Sequence, residues 1–262
     1  MSGTNLRPPP RALILAAGLG RRLRPLTEHV PKPLVEAAGR PLIDYGLDLL
    51  LAHGIKDVVI NVHHLAERIV AAIGDGAERG LRIRYSIEET LLDTGGGIRQ
   101  AADLLGIDAA APAGGPLVVL NADVISEVPL DQVLAQHART GALVTLVLRD
   151  DPRAAEYGLF GADSAGRIRR FLGRGAPADG LTLGMFASVQ VLSPELIGLM
   201  PRKGAFSSMR DLYPRLFEAG AHLGSFLYEG PWYTADTPAD LAATERALTH
   251  KGYCRKPGAP RS

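Results

Sequence analysis

Gly18 and Gly20 stand just beyond an apolar run at residues 12–17, and Arg22, Arg24 and Lys32 follow soon after. Glycines at the end of a buried strand leave backbone N–H groups open to an anion, because no Cβ stands in the way. The three cations supply fixed positive charge for phosphate oxygens at the same sheet edge, the usual ligand crevice of α/β folds. The spacing is not a dinucleotide fingerprint, whose third glycine would fall on Leu23, and no Walker lysine–serine pair follows. On its own the segment also reads as a flexible basic loop. Asp123 follows the apolar run 117–120, a strand end suited to a hard, oxygen-seeking cation, although a lone aspartate there is also a common turn residue. No carboxylate or cysteine cluster surrounds His29, His63 and His64 at zinc-ligand spacing, so these are read as loop or surface histidines. Nor does a Ser-His-Asp or Cys-His set accompany a nucleophile elbow.

Positioning such groups requires a sheet. Strands are expected at 12–17, 58–61, 81–87, 117–120 and 142–148, and helices at 41–53, 64–73, 95–105 and 131–139. This alternation predicts a parallel sheet wrapped by helices. A long loop joins the first strand to Gly39. After Asp150 the pattern changes to a hairpin around Asp163-Ser164-Ala165-Gly166, a long strand at 183–192, and helices at 194–200 and 208–219. Thr237-Pro238 reads as an N-cap and first-turn pair for a last helix reaching about Thr249. Residues 1–11 read as a loose leader, 12–249 as a single domain, and 250–262 as a frayed tail.

From Leu15 to Leu34 the chain resembles the signature of the sugar-1-phosphate nucleotidyltransferases: two alanines, the glycine loop, an arginine, Pro25-Leu26-Thr27, then Pro31-Lys32-Pro33-Leu34. Members join the nucleoside monophosphate of an NTP to a sugar 1-phosphate and release pyrophosphate. The resemblance implies an α/β, Rossmann-like nucleotide-diphospho-sugar transferase fold, with a mixed, mostly parallel sheet and helices on both faces. Residues 12–150 would form a nucleotide-binding half and 151–249 a sugar-binding half. Arg22 would hold the NTP phosphates and Lys32 would bridge the α-phosphate and the second substrate, with Ala17, Gly18 and Gly20 around the nucleotide. Ser86-Ile87-Glu88-Glu89 and then Asp93-Thr94-Gly95-Gly96-Gly97-Ile98 resemble the base-binding turn and helix start, so Glu88, Gly96 and Gly97 are expected at the nucleotide.

The triple glycine looks most like the N-acetylmuramate-1-phosphate uridylyltransferases, and the mannose-1-phosphate guanylyltransferases are also similar. UTP or GTP is therefore the expected nucleotide. Asn121-Ala122-Asp123 resembles the element whose aspartate binds Mg²⁺, with Ala122 where a glycine is usual. The second metal aspartate of the family falls on Thr234, but Asp236 lies two residues on. In an extended segment it would share a face with Thr234 and could replace the missing ligand; the alternative is a cap for the last helix. Arg174 and Ser188 match sugar-side positions. At Gly173 a common glutamate is missing, and Ser188 stands where a glycine is usual.

The 262-residue chain is 46% apolar with a formal charge of +1. This composition excludes a disordered or coiled-coil chain. Near-neutral charge without an aromatic platform argues against a nucleic-acid coat, and no apolar run approaches the ~20 residues of a membrane span. The lone cysteine, Cys254, suits a reducing cytoplasm. The expected partners are therefore an NTP and a sugar 1-phosphate, with Mg²⁺ as cofactor, no nucleic acid and no membrane. A homo-oligomer is left open, as is a non-catalytic nucleotide-sugar-binding paralogue, which the changes at Ala122, Gly173 and Thr234 would suit.

Overall fold

The computed structural model describes residues 9–107, 115–154 and 158–251. The expected leader before residue 9, the tail from 252 and Cys254 lie outside the described residues. Arg11, expected in the leader, belongs to the first strand instead, since its N–H bonds the carbonyl of Pro116 and so starts the ladder. The strands are β1 (Arg11–Leu15), β2 (Glu36–Ala37), β3 (Arg40–Pro41), β4 (Asp57–Val62), β5 (Arg82–Ile87), β6 (Leu117–Asn121) and β7 (Val124–Ser126). They continue as β8 (Val144–Arg149), β9 (Phe160–Ala162), β10 (Ile168–Phe171), β11 (Arg174–Gly175), β12 (Thr182–Leu192), β13 (Leu223–Leu227) and β14 (Trp232–Thr234). The helices are α1 (Leu26–His29), α2 (Leu42–Ala52), α3 (Ala66–Ile73), α4 (Asp93–Leu104), α5 (Leu130–Thr140), α6 (Pro194–Leu199), α7 (Tyr213–Glu218) and α8 (Pro238–His250).

Strands β6, β1, β4 and β5 lie side by side and parallel, so their carboxyl ends share one edge. β12 runs against β6 and β8, and β13 runs parallel to β8, which completes a mixed sheet. Alternate residues of β1 and β6 divide between two cores. Ala12, Ile14, Val118 and Leu120 pack in one cluster with Ile43, Leu47 and Leu50 of α2 and Ile69 of α3. Leu13, Leu117 and Val119 pack in the other with Ile98 and Ala101 of α4 and Leu196 of α6. Such strands are buried on both faces, which is why their sequences read as continuous apolar runs. Among the described residues no helix is long and apolar enough to cross a membrane.

A third, smaller cluster bears directly on the carboxyl edge. Leu23, Val35, Ala37, Leu42 and Tyr45 pack with Ile125, Ala235 and Leu248. The segment expected as a long loop is therefore anchored, and it contains short helical turns at Arg21–Leu23, Leu26–His29 and Lys32–Leu34. The helix expected at 208–219 is broken in two. A wider π-type turn at Ser208–Leu212 precedes α7, because Pro214 has no N–H to continue the ladder.

A charged knot fixes where β14 begins. Arg149 at the end of β8 and Arg153 both place their guanidiniums over the Trp232 ring, 5.3 and 4.7 Å from its centroid. The buried Asp151 accepts hydrogen bonds from both arginines, and Trp232 donates its indole N–H to the Ala187 carbonyl at 2.9 Å. Hydrogen bonds from Arg153 hold the Asp151 carboxyl down at about 2, below its usual 3.8. A lowered carboxyl pKa contributes stability above the unfolded value, and that contribution is lost as pH falls through the folded one. Asp151→Asn should therefore cost about 2 kcal/mol at neutral pH. In urea unfolding, the gap from the parent protein should close between about pH 4 and about pH 2.

Candidate active site

A cavity of about 370 Å³ opens along the carboxyl edge, from the end of β6, past β1 and β4, to the end of β5. That volume lies within the range of small-molecule and cofactor pockets. Ala17, Gly18 and Gly20 line it beyond β1. Gly20 is left-handed (φ 61°), and a Cβ there would come within 2.9 Å of Thr27 Cγ2 and 3.1 Å of Lys32 Cβ. Its carbonyl accepts the Thr27 hydroxyl at 2.8 Å, which closes the loop and brings Lys32 beneath it. At Gly18 nothing lies within 4 Å of the place a side chain would take, so that space remains for a ligand.

At the β6 end of the cavity four charges converge. Lys32 donates to both Asp123 and Asp236, the latter at 2.7 Å, and Arg22 pairs with the same Asp236 oxygen at 2.9 Å. The Lys32 side chain is only 13% exposed. Burial opposes its charge, but the field and hydrogen bonds of the two carboxylates outweigh that and raise its pKa above 10.5. The strand pairing of β7 with β14 brings the two aspartates together. Thr234 is opposite Val124, and the Ala235 N–H bonds the Asp123 carbonyl at 3.3 Å. The open choice for Asp236 is thereby decided against capping. Thr237 caps α8, in a capping box with Asp240, while Asp236 faces the cavity. Thr234 is buried within β14.

One ammonium touches both carboxylates, so their oxygens are close enough for a single cation to meet both. Hard oxygen donors of this type fit a divalent ion such as Mg²⁺ that draws its other ligands from phosphate and water. Among the described residues no group of three or more metal-ligating side chains forms a closed cage.

The β5 end is held by a relay of buried amides. Asn61 accepts the Ala16 N–H and donates to Glu88 Oε1, both at 2.7 Å, and Glu88 Oε2 accepts the Leu92 N–H at 2.9 Å. Glu88 thus lines the cavity, and each of its oxygens accepts one of the hydrogen bonds that fix the turn. Gly96 and Gly97, expected at the nucleotide, do not line the cavity. A Cβ on Gly96 would meet the Gly204 carbonyl at 2.8 Å, and one on Gly97 would meet the Asn61 amide at 2.7 Å. Gly95 lies against the Phe206 ring in the same way. The triple glycine is therefore a packing requirement.

Two sugar-side expectations also change. Arg174 pairs with Glu218 on the exposed surface, at 2.6 Å, away from the cavity. Ser188 is left-handed (φ 61°) where β12 shifts register, which accounts for a glycine being usual there. It lines a void of about 10 Å³ with Tyr45 and Asn121, too small for a sugar. His63 and His64 donate to the carbonyls of Glu88 and Thr27, so they are structural. Asp93 and Thr94, of the segment that resembles a base-binding turn, line the cavity; Asn61, Leu91 and Asn121 also line it and were not expected there. For Asn61 and Asn121 a signal existed, since each is a polar residue ending an apolar strand at the carboxyl edge.

Residues 11–237 match the family described as nucleotidyl transferase. The UTP–glucose-1-phosphate uridylyltransferase of Synechocystis sp. is 31% identical over 216 residues, covering 80% of this chain and 56% of that protein. The mannose-1-phosphate guanyltransferase of Debaryomyces hansenii is 33% identical over 91% of this chain and 65% of its own, and that of Saccharomyces cerevisiae 34% over 88% and 62%. The chain thus spans between about half and two thirds of the length of these relatives. Among solved structures, HddC from Yersinia pseudotuberculosis, complexed with GMP-PN, shares the fold at a TM-score of 0.73 and 20% identity, over 91% of this chain and 99% of that one. With a match that runs from β1 through the cap of α8, the chain belongs to the nucleotidyl transferase family.

Proposed function

We propose that the protein transfers a nucleoside monophosphate from an NTP, UTP or GTP, to a sugar 1-phosphate, giving an NDP-sugar and pyrophosphate with Mg²⁺ as cofactor. The observation that carries this reading is the Arg22–Lys32–Asp123–Asp236 cluster at one end of a cavity of nucleotide size. A sugar phosphate oxygen attacks the α-phosphorus, the bond to the bridging oxygen breaks, and pyrophosphate leaves with the electron pair. No protein nucleophile is needed. Lys32 and Arg22 exchange carboxylate oxygens for phosphate oxygens and neutralise charge that grows in the transition state. Asp123 and Asp236 would hold Mg²⁺, which supplies Lewis-acid neutralisation of the phosphate oxygens. A non-catalytic paralogue gains little support, because Asp236 supplies the carboxylate that Thr234 lacks.

Pyrophosphate release from a panel of NTPs and sugar 1-phosphates tests the reaction; NTP binding without turnover on any pair would refute it. Lys32→Gln should lower kcat/KM by about 10²–10³-fold, comparable to the loss of one preorganised donor. A near-parental value would remove Lys32 from the reaction. Asp236→Asn should raise the Mg²⁺ concentration needed for half-maximal activity. Thr237→Ala should cost about 0.5–2 kcal/mol in urea unfolding and leave the Mg²⁺ requirement unchanged. Equal Mg²⁺ curves for Asp236→Asn and the parent would leave Asp123 as the only protein ligand.

A further inference from the structure

The phosphate end of the cavity lies at β6, so the base end lies three strands away at β5, about 14 Å across the sheet. Four backbone donors at this turn are already engaged. The Leu92 N–H goes to Glu88, the Thr94 N–H to Asp93 Oδ1 at 2.6 Å, and the N–H groups of Gly95 and Gly96 to the Phe206 carbonyl at 2.9 and 3.2 Å. The Thr94 hydroxyl is tied to Ser208 at 3.0 Å. The first turn of α4 therefore has little to offer the carbonyl oxygens of a pyrimidine.

The wall presents a carboxylate instead. Asp93 opens α4 with φ 58°, a left-handed conformation that costs energy in any residue but glycine and that aspartate tolerates better than most. Its side chain lines the cavity, is 33% exposed, and is held by Arg210 from the π-type turn. Ionised oxygens accept more than one hydrogen bond, so the contacts to Arg210 and Thr94 leave acceptor capacity facing a ligand.

We propose that Asp93, positioned by Arg210, is the base-specificity residue of this site and selects guanine; this rests on the nucleotidyl-transfer reading above. Guanine has adjacent N1–H and N2–H₂ donors, which match the two oxygens of one carboxylate. Uracil and thymine offer a single N–H between two carbonyls, which the carboxylate repels. Adenine and cytosine set an amino group beside an acceptor ring nitrogen. The triple glycine, a pointer to uridine by resemblance, carries no such information, because it is accounted for by packing against Phe206, Gly204 and Asn61.

The experiment is calorimetric titration of the full chain with GTP, ITP, UTP, dTTP, CTP and ATP, with Mg²⁺, for the parent and for Asp93→Asn and Arg210→Ala. ITP is guanosine triphosphate without the 2-amino group. The parent should bind GTP about 10–100-fold more tightly than ITP and UTP, the range for a hydrogen bond to a charged group. In Asp93→Asn the GTP:ITP ratio should fall toward one, and in Arg210→Ala it should fall part of the way. Tighter binding of UTP or another NTP by the parent, or a GTP:ITP ratio unmoved in Asp93→Asn, overturns the assignment. The parent comparison decides the matter even if the Asp93 variant does not fold. Pyrophosphate release separates the two readings. Turnover with UTP preferred to GTP sinks only the guanine assignment, and an Asp93-dependent GTP preference without turnover on any sugar 1-phosphate sinks only the transfer reaction.

Discussion

Lys32 sits between Asp123 and Asp236, and most of what the fold does at this edge serves to bring those three residues together. They come from three places in the chain: a helical turn after the glycine loop, the turn between β6 and β7, and the segment between β14 and α8. Two carboxylates this close repel each other, and removing charge from water is costly unless each ion is paired. The ammonium satisfies both conditions, and with Arg22 the four charges sum to zero. Phosphate oxygens and a divalent cation can enter such a cluster by exchange of partners, without creating an unpaired charge.

Holding the cluster in place falls to packing that touches no ligand. The small core of Leu23, Val35, Leu42, Ile125, Ala235 and Leu248 ties the basic loop to β7 and α8, so Arg22 and Lys32 cannot drift from the aspartates. From the other side, the Trp232 indole is fixed by Arg149, Arg153 and the Ala187 carbonyl, which sets the start of β14 and hence the place of Asp236. A displacement of about 1 Å at such a site can cost two orders of magnitude in rate, so rigidity at this distance is part of the chemistry.

The far end of the cavity follows another logic. Helix N-termini usually offer free N–H groups to anions, but α4 spends its first donors on Asp93 and the Phe206 carbonyl. The Phe206 segment can approach so closely because residues 95–97 have no side chains. The Lys32 cluster and the Asp93–Arg210 pair thus lie toward opposite ends of one sheet edge.

By itself the sequence determined the parts with local or repeating causes. Continuous apolar runs marked β1, β4 and β6 as strands buried on both faces, and Thr237-Pro238 marked the start of α8. The motif from Leu15 to Leu34 was enough to bring Arg22 and Lys32 together at the carboxyl-edge cavity. Only the tertiary structure decided what depends on contacts between distant segments. Asp236 became the partner of Lys32 through the pairing of β14 with β7, a register that neither strand encodes alone. Gly96 and Gly97 do not line the cavity because Gly204 and Asn61 arrive against them from other parts of the chain. Arg174 lies away from the cavity because its hairpin leads it to Glu218. Spacing along a chain fixes which residues share a face, but long-range packing selects which faces meet.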